Sequence, residues 1–170
     1  MQKFRFHLCA ASAAILIVGF VAAPSIPAAE STASVAFTDP AIEQAVLAAN
    51  TEMIAAANRL DVDAFFEFII DTDRGMIVQN GVIFRTRRDA YDAVKRGLQG
   101  LTKIDRRLEN PQVTVMSPEV ALLVADGSLT ATLADAREMR SRFAVSLVWV
   151  RRDGRWQVLH GHYSIPPDSR

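Results

Sequence analysis

From Asp39 onward the hydrophobic positions follow two rhythms, first that of helices and then that of strands. Ile42, Val46, Ala49, Met53, Ala57 and Leu60 recur at steps of three or four, the apolar stripe of one long amphipathic helix. Asp39-Pro40 starts it, because a carboxylate can cap the first free N–H groups and proline needs no donor at the first helical position. Asp61 opens a second helical run in which Val62, Phe65, Phe66, Ile69 and Ile70 share a face. Asp71–Gly75 breaks the pattern. Met76–Gln79 and Val82–Arg85 then flank Asn80-Gly81, the two-residue signal of a type I′ hairpin. Thr86 with Asp89 three residues on resembles a capping box, and Tyr91, Val94, Leu98 and Leu101 predict a third helix ending near Gly100.

Beyond it the period falls to two. Lys103–Met116 alternates loosely around Pro111 and predicts a bent or interrupted strand. Ser117-Pro118-Glu119 predicts a turn, and Val120–Leu133 a long strand with a bulge at Asp126-Gly127. Ala134–Arg140 reads as a polar loop. Arg142–Arg152 and Arg155–Ile165 flank Asp153-Gly154, a second hairpin signal, and Pro166-Pro167 closes the pattern. The order is α-α-β-β-α-β-β-β-β, an α+β arrangement with a late antiparallel meander.

A two-residue loop sets the register of the last hairpin. Arg152 should oppose Arg155, Trp149 Val158, Leu147 His160, and Val145 His162. One face would then carry Phe143, Val145, Leu147, Trp149, Trp156, Val158, His160, His162 and Ser164. The other would carry Ala144, Val148, Val150, Leu159, Tyr163 and Ile165. Both faces are apolar, so the expectation is that helices cover one and a second copy covers the other, giving a homodimer through the sheet.

The amino terminus changes the picture of where the domain works. Lys3 and Arg5 precede the uncharged apolar run Leu8–Ala23, and Pro24–Ala29 supplies breakers and small residues. This is the pattern of a signal peptide over residues 1–29, cleaved after Ala28 or Ala29, with 30–38 as a flexible leader and 39–167 as the domain. The apolar run is shorter than the roughly 20 residues of a comfortable membrane span, so no membrane association is expected after cleavage. Cleavage removes two cations and the lone Cys9, leaving a slightly acidic chain without cysteine. A periplasmic or secreted location follows, with no disulfide framework. A near-neutral exported domain is not a nucleic-acid binder by charge, and Arg137, Arg140, Arg142, Arg151, Arg152 and Arg155 read as a soluble rim.

The stretch Asp153-Gly154-Arg155-Trp156-Gln157-Val158-Leu159-His160-Gly161-His162-Tyr163-Ser164 resembles the ending of SnoaL-like domains, of the nuclear-transport-factor-two-like, cystatin-like superfamily. Trp156, Val158, His162 and Ser164 stand where that ending carries tryptophan, a branched aliphatic, histidine and serine. The Arg85-Thr86-Arg87 approach to the third helix agrees, and the resemblance spans about Asp39–Ile165. It implies a curved antiparallel sheet wrapped around three helices, a cone with a pocket at its open end. The superfamily includes isomerases, polyketide cyclases, dehydratases and oligomerising hubs, so the fold alone names no function. The tyrosine-plus-aspartate arrangement of the steroid isomerases has no clear match here.

The candidate chemistry lies on the last strands. Histidine is the natural general acid or base near neutral pH, so His162 and His160, oriented by Asp126 or Asp73, are the candidate catalytic residues. The same two histidines could hold zinc only with a carboxylate as third ligand; with two histidines and no cysteine after cleavage, no metal and no cofactor is expected. Trp156, Trp149, Phe143 and Phe84, with Ser164 and Arg85, are the candidate ligand-binding residues, suited to a small, partly hydrophobic molecule. Phe65, Phe66 and Phe68 read as core. Asp126 is costly inside an apolar strand unless it faces water or acts, and Arg85 and Arg87 could meet an anion or pair with Asp71 and Asp73. Three functions stay open: a small-molecule binder, an isomerase, cyclase or dehydratase type of enzyme using His162 with an aspartate, and a structural dimerisation module.

Overall fold

Asp39 accepts hydrogen bonds from the N–H groups of Ala41 and Ile42 at 3.0 and 3.2 Å, and so opens the first helix. This computed structural model describes residues 37–72, 74 and 77–166. The proposed signal peptide and most of the leader lie outside the described residues. Helix α1 runs Pro40–Asn58 and buries Val46, Asn50, Met53 and Ala56. Helix α2 (Val62–Phe66) is capped by Asp61, which accepts from Ala64 N–H at 3.0 Å. Strands β1 (Ile77–Gln79) and β2 (Val82–Phe84) form the small hairpin, with Asn80 and Gly81 both at positive φ as a type I′ turn requires. Helix α3 (Arg87–Gly97) starts at the Thr86 cap. Strands β3 (Leu101–Ser117), β4 (Val120–Leu133), β5 (Glu138–Arg152) and β6 (Arg155–Ser164) complete the order expected.

The six strands form one curved, unclosed sheet in the order β2-β1-β6-β5-β4-β3. All pairings are antiparallel except β1 with β6, which is parallel, Ile77 opposing Gly161. The helices cover the concave face. There Phe66 of α2 and Val46 and Met53 of α1 pack on Ala121, Leu123, Leu147, Trp149 and Val158.

Four details differ from the sequence reading. The second helix stops at Phe66, because Phe68–Ile70 turns into an extended segment on the edge of β6. Val158 N–H donates to Phe68 O at 2.7 Å, and Ile70 N–H donates to Val158 O at 3.0 Å. The third helix stops at Gly97, and Leu101 belongs to the sheet. Strand β3 shifts register against β4 at three places, one of them at Asn110-Pro111 as the proline leads one to expect, but Asp126-Gly127, read as a bulge, pairs regularly on both sides. Glu138–Arg140, read as loop, extends β5.

The fifth difference decides which face the histidines occupy. Trp149 opposes Val158 as expected, but a bulge follows, and His160 then opposes Val148, Gly161 Leu147, His162 Ser146, and Tyr163 Val145. One extra residue, Leu159, inverts every side chain after it. Gly161 and Tyr163 turn inward, and His160, His162 and Ser164 turn outward. The inward position at 161 is crowded: a Cβ there would lie 3.1 Å from Leu147 Cδ2 and 3.3 Å from Ile77 Cδ1. Glycine suits that position, and the bulge spares the fold the burial of two titratable rings.

Candidate functional site

The end of α1, α2, the β1–β2 hairpin, α3 and the first half of β3 enclose a cavity of about 500 Å³ over the concave face. Its walls are Ala57, Leu60, Val62 and Phe65 from the first two helices and Val94 and Leu98 from α3, closed by Phe84. Ile104, Leu129 and Ala131 form its floor, and the exposed side chains of Val82 and Met139 stand among its walls. Four polar side chains also line it: Asp61, Gln79, Asn80 and Arg106. A smaller compartment of about 50 Å³ shares Phe65, Gln79, Phe84, Val94 and Arg106 with it and reaches inward to Phe66, Ile77 and Tyr163.

Strand periodicity puts Arg106 in this place. Ile104, Arg106 and Leu108 alternate toward the concave face, so a cation stands between two core residues. Its backbone is clamped by Asn58, whose Nδ2 donates to Arg106 O at 3.0 Å and whose Oδ1 accepts from Arg106 N–H at 2.8 Å. Its guanidinium carbon lies 5.4 Å from the ring centre of Phe143 and 5.5 Å from that of Tyr163, within the range of cation–π attraction. Burial pushes the Tyr163 hydroxyl above the usual phenol range, and the charge of Arg106 opposes that rise. Tyr163 is therefore a neutral hydroxyl at physiological pH.

Of the residues singled out by sequence, Phe84 lines the cavity. Phe143 is buried beneath Arg106, Trp149 is fully enclosed in the core at 0 % exposure, and Trp156 packs half-buried against the same core. His162 and Ser164 are exposed and His160 half-buried on the outer face, for the register reason given above. Asp126 is exposed on that outer face too, opposite Glu109 and Ala144. Arg85 is exposed and does not line the cavity. Asp73 lies outside the described residues. Among the described residues Arg87 does not pair with Asp71: it donates to the carbonyls of Phe66 and Ile69 at 2.7 and 3.1 Å. Among the described residues no group of three or more His, Cys, Asp or Glu could hold a metal ion. No helix among them is long and apolar enough to cross a membrane. Sequence reasoning missed Arg106 and Tyr163. The signal for Arg106 was a cation at an inward position of an alternating strand.

A family model for the SnoaL-like domain matches residues 46–168. The chain belongs to the SnoaL-like family. Solved structures agree on the fold. A nuclear transport factor 2 (NTF2-like) superfamily protein from Salmonella enterica serovar Typhimurium is similar at a TM-score of 0.67 with 16% identity, over 74% of this chain and 92% of that one. An NTF2-like protein from Streptomyces avermitilis, provisionally assigned as a dehydratase, is similar at 0.67 with 16% identity, over 75% and 99%. An uncharacterized protein with a cystatin-like fold from Caulobacter vibrioides is similar at 0.61 with 25% identity, over 74% and 90%. Comparison with curated protein sequences finds no match.

Proposed function

We propose that this SnoaL-like protein is exported and binds a small, partly hydrophobic molecule in the cavity beneath α3. The observation that carries the reading is the cavity itself, about 500 Å³, mostly apolar, with a few polar side chains set into its walls. That size and lining are those of small-molecule sites, which the fold commonly supplies. The amino-terminal pattern supports export, and the outer face of the sheet, uncovered among the described residues and carrying aliphatic side chains such as Val124 and Val148, supports a homodimer.

The test is thermal melting of the purified protein against a panel of small aromatic and aliphatic compounds, repeated on Ala93→Trp, which fills the cavity from α3. A ligand at a hundredfold excess over its dissociation constant stabilises the fold by about 2.7 kcal/mol, and Ala93→Trp should abolish that shift. No shift with any compound, or an equal shift in the filled variant, overturns the reading.

A second reading, an enzyme of the isomerase, cyclase or dehydratase type, is favoured by the assignment of the Streptomyces relative. The sequence gives that role to His162 with an aspartate, a pair that would have to act from the outer face. Acid–base chemistry on the concave side would instead draw on Asp61 in the cavity and Tyr163 in its inner compartment. Liquid chromatography coupled to mass spectrometry of the ligand recovered after incubation separates the readings: unchanged mass and retention support binding alone, whereas a product of altered retention (isomerised or cyclised) or of lower mass (dehydrated) supports catalysis.

A further inference from the structure

We infer that the molecule this cavity takes is an apolar-bodied carboxylate whose acid group is held by Arg106. The inference rests on the proposed binding role and names the ligand class for that same cavity. Arginine keeps its charge at all working pH values, and the half-buried Arg106 sets that charge against the cavity with part of its hydration lost. The ion pairs formed by other arginines lie out on the surface: Arg88 meets Asp92 at 2.9 Å, Arg107 meets Asp105 at 2.6 Å, and Arg142 meets Glu109 at 3.2 Å, each with the arginine side chain mostly exposed. Among the described residues, no carboxylate pairs with Arg106. Phe143 and Tyr163 lie within cation–π range of its charge, but ring faces do not take up the directional N–H donors of a guanidinium, and among the described residues no side chain accepts from them. Arg106 lines both the cavity and its inner compartment, so its guanidinium is within reach of a molecule that enters there.

The surroundings hold the side chain ready. Asn58 locks the backbone of Arg106 with two hydrogen bonds, and Gly127 leaves the space in which the Phe143 ring lies. A planar guanidinium can hold a carboxylate with two parallel hydrogen bonds, a geometry that fixes the ligand's direction as well as its charge. The apolar wall from Phe65, Val94, Leu98 and Leu129 would then receive the ligand's body. Asp61 is the one acid lining the cavity, and its carboxylate already accepts from Ala64 N–H.

The probes are 4-phenylbutanoate and its uncharged amide, titrated calorimetrically into the purified protein. The carboxylate should bind at least tenfold tighter than the amide. In Arg106→Gln that preference should vanish while amide binding persists, and Arg106→Lys should keep only part of it, since a point charge cannot offer the two-pronged contact. Rising salt should erode the preference in the wild-type protein, a readout that needs no variant. Equal binding of acid and amide by the wild-type protein overturns the assignment of Arg106 and leaves the cavity reading standing. Binding of neither overturns both.

Discussion

At the scale of single residues, one glycine bears on the whole site. A Cβ at position 127 would lie 2.3, 2.5 and 2.8 Å from three carbons of the Phe143 ring, distances no real contact shows. Gly127 on β4 therefore lets that ring lie across the neighbouring strand, and the ring in turn faces Arg106. Gly127→Ala should destabilise the protein by about 1–3 kcal/mol, the usual cost of forcing extra volume into a packed interior. Urea denaturation measures it, and a loss under about 0.5 kcal/mol would mean the ring has room to move aside. The sequence reading took Asp126-Gly127 for a bulge because glycine within a strand commonly marks one. Glycine also marks close approach of a neighbour, and only the third dimension distinguishes the two. Two other polar groups escaped notice for the same reason. Asn50 Oδ1 on α1 and Trp149 Nε1 are buried without a hydrogen-bond partner among the described residues. Asn50 is 4 % exposed within a stripe that reads as apolar every third or fourth residue.

At the scale of elements, Arg87 fastens the start of α3 to the end of α2. The last carbonyls of a helix lack partners within it, and here the Arg87 side chain serves Phe66 O and Ile69 O while its guanidinium lies 5.7 Å from the Phe66 ring centre. Arg87→Met keeps much of the packing and removes both donors. It should cost about 1–3 kcal/mol, the penalty for leaving the Ile69 carbonyl unpaired, since Phe66 O still accepts from Ile69 N–H at 3.1 Å, and Arg87→Lys should recover part of it. Thermal melting checks both, and an unchanged melting temperature in Arg87→Met would show that water serves those carbonyls equally well. The caps at Asp39, Asp61 and Thr86 and the two type I′ turns were legible because each is a local geometry with its own residue preference. The bulge at Leu159 was not, because nothing in Val158-Leu159-His160 demands it. It arises where Val158 already bonds to Phe68 and Ile70, partners ninety residues away in the chain, and where inward space suits Gly161. A single misplaced pair put His160, His162 and Ser164 on the inner face in the sequence reading, and with them both candidate histidines.

At the scale of the whole molecule, the concave face has its cover in the helices and the outer face has none among the described residues. The corrected register also revises which residues lie there. Tyr163 leaves the outer set, and Ile165 packs against the core. Ala144, Val148 and Val150 of the last hairpin remain, joined by Ser146, His160, His162 and Ser164, beside Leu122, Val124 and Asp126 of β4. Val124 is 44 % exposed, and β5 and β6 present a mixed surface of small, aliphatic and imidazole side chains. A specific interface covers about 800 Å² on each partner, an area that strands as long as these can supply, and polar side chains among aliphatic ones are ordinary within such a patch. We therefore expect a homodimer through the sheet, measured by light scattering on the processed protein, with Val124→Glu and Val148→Glu together shifting it to monomer. The same geometry makes a paired expectation for His162. If the sheets meet, His162→Ala should weaken the dimer while leaving 4-phenylbutanoate binding unchanged, because the imidazole and the cavity lie on opposite sides of one sheet. A monomeric wild-type protein would sink the dimer. Loss of ligand binding in a dimeric His162→Ala would show that the two faces communicate, which a rigid sheet packed on both sides gives no reason to expect.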